Sequence, residues 1–175
     1  RLVFLCVDSP NSLPDFDLPL HPFGEADEHG IVGESEVAWE LRRQLAFIGP
    51  RRPHVLVVGP SGAGKELAAR AIHHLSARAA GPLVDRNAAT LPDGLVDAEL
   101  FGHARNFPNP GMPERRGLIG ESEGGSLFLD EFAELPKSSQ AHLLRVLDEG
   151  RYQRLGESRS RTADIRLIAA TNRPP

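Results

Sequence analysis

The sequence of 175 residues predicts an α/β fold, a parallel sheet covered by helices on both faces, on three observations. From Ile31 onward, short β-branched runs alternate with helical stretches. A glycine-rich turn joins the first of those runs directly to a helix. A later run, Ser126–Asp130, is apolar until it ends in adjacent acids. Strands joined through helices lie parallel, and ligands of such sheets bind at the carboxyl ends of the strands.

The elements follow in order. Leu2–Val7 (LVFLCV) reads as a strand, either the last of an upstream domain, the favoured reading, or one added to this sheet. Residues 8–30 mix prolines with acids without periodicity, the signature of a linker, so residues 1–30 are expected to be an upstream segment and 31–175 a single core domain. HVLVV then predicts a strand, KELAARAIHHLSAR a helix, PLVDRN a strand and LPDGLVDAELF a helix. SLFLD predicts a strand, SSQAHLLRVLDEG a helix and DIRLIAA a strand. In the last helix Leu143, Leu144 and Leu147 form a stripe expected to face the core. His73 and His74 have no partner at metal-ligand spacing and are expected at the surface, and the basic run RYQRLGESRSR is expected to be a solvated loop rather than a nucleic-acid contact.

A net charge of -4 gives no general electrostatic reason to sit on DNA or on an anionic membrane. A single cysteine, Cys6, excludes an internal disulfide, and no apolar run approaches the roughly 20 residues that span a bilayer. The expected compartment is the cytoplasm, with no membrane partner. The chain opens at Arg1 without a signal-peptide pattern and ends at Pro175, as a fragment of a longer polypeptide would.

The chemistry is concentrated at four strand ends. Gly59, Pro60, Ser61, Gly62, Ala63, Gly64, Lys65 and Glu66 follow a strand and open a helix. Glycines let backbone N–H groups curl round phosphates, Lys65 supplies a point charge to the terminal ones, and the helix aims its positive end at them. Glu66 stands where a Ser or Thr hydroxyl would meet Mg2+, so the metal must lean on other oxygens. Asp130 and Glu131 supply them: one carboxylate near the metal, its neighbour where an attacking water is polarised. Asn87, Thr171 and Asn172 end two further strands and place polar groups at the same edge.

Together GPSGAGKELAARAIHHLSAR, NAATLPDGLVDAELFGH, GGSLFLDEFAELPKSSQAHLLRVLDEGRYQRLG and DIRLIAATNRP resemble the AAA+ central domain of bacterial enhancer-binding proteins, the activators of sigma-54 RNA polymerase. The resemblance covers Ile31 to Pro175 and extends to the Glu after the lysine. It implies a three-layer αβα P-loop NTPase with ATP and Mg2+ as ligands, Lys65 with Gly59, Gly62 and Gly64 in Walker A, and Asp130 and Glu131 in Walker B. It further implies that Asn87 switches Glu131 between states, that Thr171 and Asn172 form sensor I, and that Ile31 and Val32, at the start of IVGES, lie against the adenine. Family members act as rings, usually hexamers, with ATP between neighbours. The arginine fingers, the lid subdomain with sensor II and any DNA-binding helix-turn-helix would follow the end of this chain. An arginine finger is worth about 10³–10⁵ in rate, so the chain alone is expected to hydrolyse ATP very slowly.

Where the family has its GAFTGA loop, the tip that grips sigma-54, this sequence has NFPNPG, Asn106 to Gly111. Pro108 and Pro110 fix φ and remove backbone donors, so the flexible excursion of the family loop is not expected here. One reading is a sigma-54 activator with a rebuilt tip, coupling hydrolysis to remodelling of the holoenzyme. The alternative is a nucleotide-dependent regulatory or oligomerisation module that does not engage sigma-54 through that loop.

Overall fold

The computed structural model describes residues 3–5, 18 and 22–173. Cys6 and most of the stretch expected to be a linker lie outside the described residues. The central sheet has the strand order β1-β2-β7-β4-β3, with β1 (Val3–Leu5), β2 (Val55–Val58), β3 (Leu83–Asn87), β4 (Ser126–Asp130) and β7 (Arg166–Thr171). All pairs are parallel except β1 with β2, where Val3 faces Val58 and Leu5 faces Leu56. The favoured reading of Leu2–Val7 as a strand of another domain is therefore corrected: an edge strand pairing antiparallel with β2 extends the sheet of this one.

Period-two alternation sends side chains to two separate cores. Leu127, Leu129, Leu167 and Ala169 pack with Leu100, Phe101, Ile119 and Leu143 from α3 (Val96–Phe101), α4 (Gly117–Glu121) and α5 (Lys137–Glu149). Phe128, Ile168 and Ala170 pack on the opposite face with Leu45 and Ile48 of α1 (Glu36–Ile48) and Ala69 and Ile72 of α2 (Lys65–His74). Strands β4 and β7 read as continuous apolar runs because both of their faces are covered.

Several elements differ from the expectation. Helix α1, capped by the Ser35 hydroxyl accepting from the Ala38 N–H, was not anticipated. Helix α2 stops at His74, where Ser76 bonds back to the His73 carbonyl. Helix α3 starts only at Val96, because Pro92–Leu95 forms a turn with Gly94 at φ 79. The run RYQRLGESRSR is a two-stranded hairpin, β5 (Arg151–Tyr152) with β6 (Arg161–Thr162). Of the leucine stripe on α5, Leu143 is buried but Leu144 is 52% exposed, and Val146 takes the inward place. That is what a helix packed through one narrow face requires.

His73 is not at the surface. It is 3% exposed, and its Nδ1 lies 2.9 Å from the Ser126 hydroxyl at the start of β4. His74 is exposed as expected. His54 keeps an exposed face, but its Nδ1 accepts from the Leu167 N–H at 2.9 Å. Burial, reinforced by the Arg166 charge for His54 and by His74 for His73, holds both imidazoles below their ordinary 6.5. An unfolded chain therefore takes up these protons first. The stability they contribute is complete above pH 6.5 and is lost as pH falls through the lowered folded-state values. The melting temperature is expected to be lower at pH 5.5 than at pH 7.5, and His54→Asn, whose amide oxygen can replace Nδ1 as acceptor, should flatten part of that slope.

Arg166 fixes the sheet to α1. Fully buried at the start of β7, it donates to the carbonyls of Gly49 at 2.6 Å, Ile48 at 2.9 Å and Pro53 at 3.2 Å. A cation there satisfies the orphan carbonyls of a helix C-terminus.

Candidate functional site

Parallel strands end on one edge, and register puts the polar residues there in a row. Val58 faces Thr171, Leu129 faces Ala169 and Asn87 faces Asp130. The glycine-rich loop starts from this edge, tied by the Gly59 N–H to the Thr171 carbonyl at 3.1 Å. Gly64 caps α2 in the left-handed conformation at φ 80, which a residue with a Cβ adopts only under strain. Lys65 is 6% exposed, and its ammonium donates to the Pro60 carbonyl at 3.3 Å. It therefore lies within the loop rather than out in solvent. Ala63 closes the same turn on Pro60 at 3.2 Å.

Beside the loop, Glu66 pairs with Arg70 at 2.6 Å, and Arg70 lies 4.0 Å from Asp85 on β3. Burial, then the negative charges of Glu66 and Asp130, push the Asp85 carboxyl above its ordinary value despite Arg70. The charges of Glu66 and Asp130 thus reach Asp85 between β3, β4 and the loop, and Arg70 and Arg86 offset part of them. A Mg2+ site needs only one or two carboxylates when phosphates and water complete the shell. Asp130 accordingly fits one ligand, with its Oδ1 already oriented by the Glu131 N–H at 2.9 Å.

Glu131 sits at φ 49, ψ 42, a left-handed position at the strand-to-turn junction. Non-glycine residues occupy it at a cost of about 1–3 kcal/mol, and such positions are enriched at functional sites. Next to it, Glu134 pairs with Arg173 at 2.6 Å and so ties the turn after β4 to the end of β7. Thr171 is buried, its hydroxyl accepting from the Arg173 N–H at 3.1 Å, while Asn172 is exposed. Asn87 ends β3 at the same edge, but its Oδ1 accepts from the Ala89 N–H at 2.9 Å, capping a short turn.

A cleft of about 460 Å³ opens from the loop toward α1, walled by Ile31, Val32, Ala38, Gln44, Gly64 and Leu67. Ile31 is buried and Val32 exposed. What holds this segment was missed in the sequence. Asp27 accepts from the Ile31 N–H at 2.9 Å and from Arg42 Nε at 2.8 Å, while Arg42 also donates to the Ile31 and Gly33 carbonyls at 2.9 and 2.8 Å. Burial raises the Asp27 carboxyl, but the bonds from Ile31, Arg42 and His29 outweigh it and leave the group below its ordinary value. The turn signal Asp27–Gly30, with Gly30 at φ 80, could have shown that the chain reverses there.

The segment NFPNPG is held against the turn that follows β5. His103 and Arg115 bridge its base, the Asn106 N–H bonds the Met112 carbonyl at 2.8 Å, and Ala104 bonds the Leu155 carbonyl at 2.9 Å. Phe107 lies against Gly156, where a Cβ would come within 2.4 Å of the ring.

The model for the sigma-54 interaction domain matches residues 31–175. Nitric oxide reductase transcription regulator NorR1 of Cupriavidus necator is 46% identical over 150 residues, covering 86% of this chain and 29% of that protein. NtrX of Brucella abortus, solved in complex with ATP, superposes with a TM-score of 0.74 at 38% identity, over 86% of this chain and 33% of NtrX. The P-loop NTPase domain of a sigma-54 activator from E. coli, at 21% identity, shares the fold with a TM-score of 0.50. The chain thus spans about a third of the regulators it matches. Among the described residues no helix is long and apolar enough to cross a membrane. With its P-loop NTPase fold and this extent of match, the chain belongs to the sigma-54 interaction domain family of AAA+ ATPases.

Proposed function

We propose that this chain binds ATP and hydrolyses it as the motor of a sigma-54-dependent transcription regulator, coupling hydrolysis to remodelling of the RNA polymerase holoenzyme. The observation that carries the proposal is the convergence of the Gly59–Lys65 loop, Asp130, Glu131 and Thr171 at one sheet edge beside the cleft at Ile31. In this reading Gly59 to Glu66 cradle the phosphates, and Ile31 and Val32 lie against the base. Glu131 polarises the attacking water, Asn172 and Thr171 sense the γ-phosphate, and Asn87 exchanges its cap for contact with Glu131 as the nucleotide changes. Asp130, with Glu131, would hold Mg2+, whose chemistry is neutralisation of charge on the phosphate oxygens. The working unit is a homo-oligomeric ring, hexameric as in the family, and DNA is reached through another domain.

The second reading, a nucleotide-driven module that does not engage sigma-54 through this loop, is favoured by one observation. The Phe107 ring rests on Gly156 instead of standing free at the loop tip. One experiment separates the two: binding of purified sigma-54 to the intact regulator with a transition-state analogue of ATP hydrolysis trapped, against an ADP control. Binding only in the trapped state is expected. Normal hydrolysis without sigma-54 binding would overturn the first reading and leave the second.

A further inference from the structure

The hairpin β5–β6 and helix α4 enclose a concavity of about 360 Å³ whose walls include Arg116, Arg154, Arg159 and Arg161, with Tyr152 and Glu123. Its size lies at the low end of the roughly 300–1,000 Å³ typical of small-ligand clefts. Four guanidiniums and Glu123 line the wall, and Glu157 and Glu114 lie beside Arg161 and Arg154, so the cluster keeps a positive charge within a chain whose net charge is -4. Two of the four are engaged. Arg161 forms a bidentate pair with Glu157 at 2.9 Å, and Arg116 donates to the Gly120 carbonyl at 2.6 Å and to Glu123 at 3.3 Å.

Arg154 is different. Its side chain is only 6% exposed, its nearest carboxylate, Glu114, is 3.7 Å away and beyond hydrogen-bond reach, and its buried Nε has no hydrogen-bond partner among the described residues. The other deeply buried arginines show what a satisfied site looks like: Arg166 makes three bonds to carbonyls, and Arg42 bonds Asp27, Ile31 and Gly33. A buried guanidinium left short of partners is costly, and an arriving anion removes that cost. Arg159 and the Ser160 hydroxyl, both exposed at the rim, add donors from a second direction.

We infer that this concavity is a binding site for a phosphate group, presented by a nucleic-acid backbone or as free phosphate. A tetrahedral oxyanion has oxygens for Arg154, Arg159 and Ser160 at once, whereas a planar carboxylate matches one guanidinium fork. The site lies apart from the Gly59–Lys65 loop and does not depend on the function proposed above. It also gives the basic run 151–161 a role beyond that of a solvated loop.

The test follows arginine Nε–H resonances by NMR in the 175-residue chain carrying Lys65→Ala, which silences the glycine-rich loop. Inorganic phosphate, a short oligothymidylate and an oligoglutamate peptide are titrated separately, with Arg154→Lys identifying the Arg154 signal. Saturable shifts of the Arg154 and Arg159 signals with phosphate are expected. Tighter, salt-sensitive binding of the oligonucleotide would identify a nucleic-acid backbone as the source, and phosphate binding alone would identify free phosphate. Arg159→Ala, exposed and harmless to the fold, should weaken the interaction and lower the salt slope for oligonucleotide by about 0.7, the value of one phosphate contact on a single strand. It carries the test if Arg154→Lys fails to fold. Silence of both signals toward phosphate and oligonucleotide, or a response to oligoglutamate only, would overturn the inference.

Discussion

Lys65→Ala is expected to lower ATP affinity by about 10²–10⁴. On the proposed function the lysine would supply charge-assisted bonds to the terminal phosphates, each worth about 1.5–3 kcal/mol, and every 1.4 kcal/mol is tenfold. Stability should move little, because the folded lysine makes one 3.3 Å bond to Pro60 and its removal relieves a buried charge. The two effects separate cleanly in thermal melts. Wild-type chain should rise in melting temperature with ATP, whereas Lys65→Ala should melt near the wild-type apo temperature and stay there at the same nucleotide concentration. Titration calorimetry supplies the affinity itself. Undiminished ATP binding in this variant would mean that the phosphates are held elsewhere and that Gly59–Glu66 is a structural turn.

The P-loop NTPase core was legible in the sequence because its signals are local. A strand, a glycine-rich turn and a helix start are contiguous in Val55–Lys65, and Ser126–Glu131 carries its burial pattern and its acids in a single run. The parallel direction follows from the helical connections, and direction alone brings the carboxyl ends of β2, β3, β4 and β7 to one edge. What escaped depends on partners distant in sequence. His73 is polar and lies beside exposed His74, so nothing local marks it as the group that meets Ser126. Asp27 lies among prolines and acids that read as a linker, and only Arg42, on a helix that was itself overlooked, gives it a role. Helix α1 does carry an apolar stripe, Leu41, Leu45 and Ile48, so its helical period was legible; the buried Arg42 beside that stripe was not. The hairpin β5–β6 has two-residue strands, too short for alternation to register.

The second large effect is at Glu131, and two substitutions there should move activity and stability differently. Glu131→Gln keeps size and backbone but removes the charge that, on the proposed function, would polarise the attacking water. ATP affinity should hold within a few-fold, while the hydrolytic rate falls by about 10²–10⁴, the usual worth of a positioned general base. The rate is best read under single-turnover conditions in the intact regulator at high protein concentration, where neighbouring subunits would complete the site. Glu131→Gly should lose hydrolysis as fully, but it also relieves a left-handed backbone at φ 49 that glycine adopts without cost. A gain of about 1 kcal/mol would raise the melting temperature by roughly 2–4 °C in a chain of this size. An inactive glycine variant that melts higher than wild type would mean that the strand end holds an unfavourable conformation because the carboxylate is needed there. If Glu131→Gln turned over at the wild-type rate, the water would be activated by another group. A glycine variant that melted lower would mean that contacts of the Glu131 side chain, rather than catalysis, keep that backbone in place.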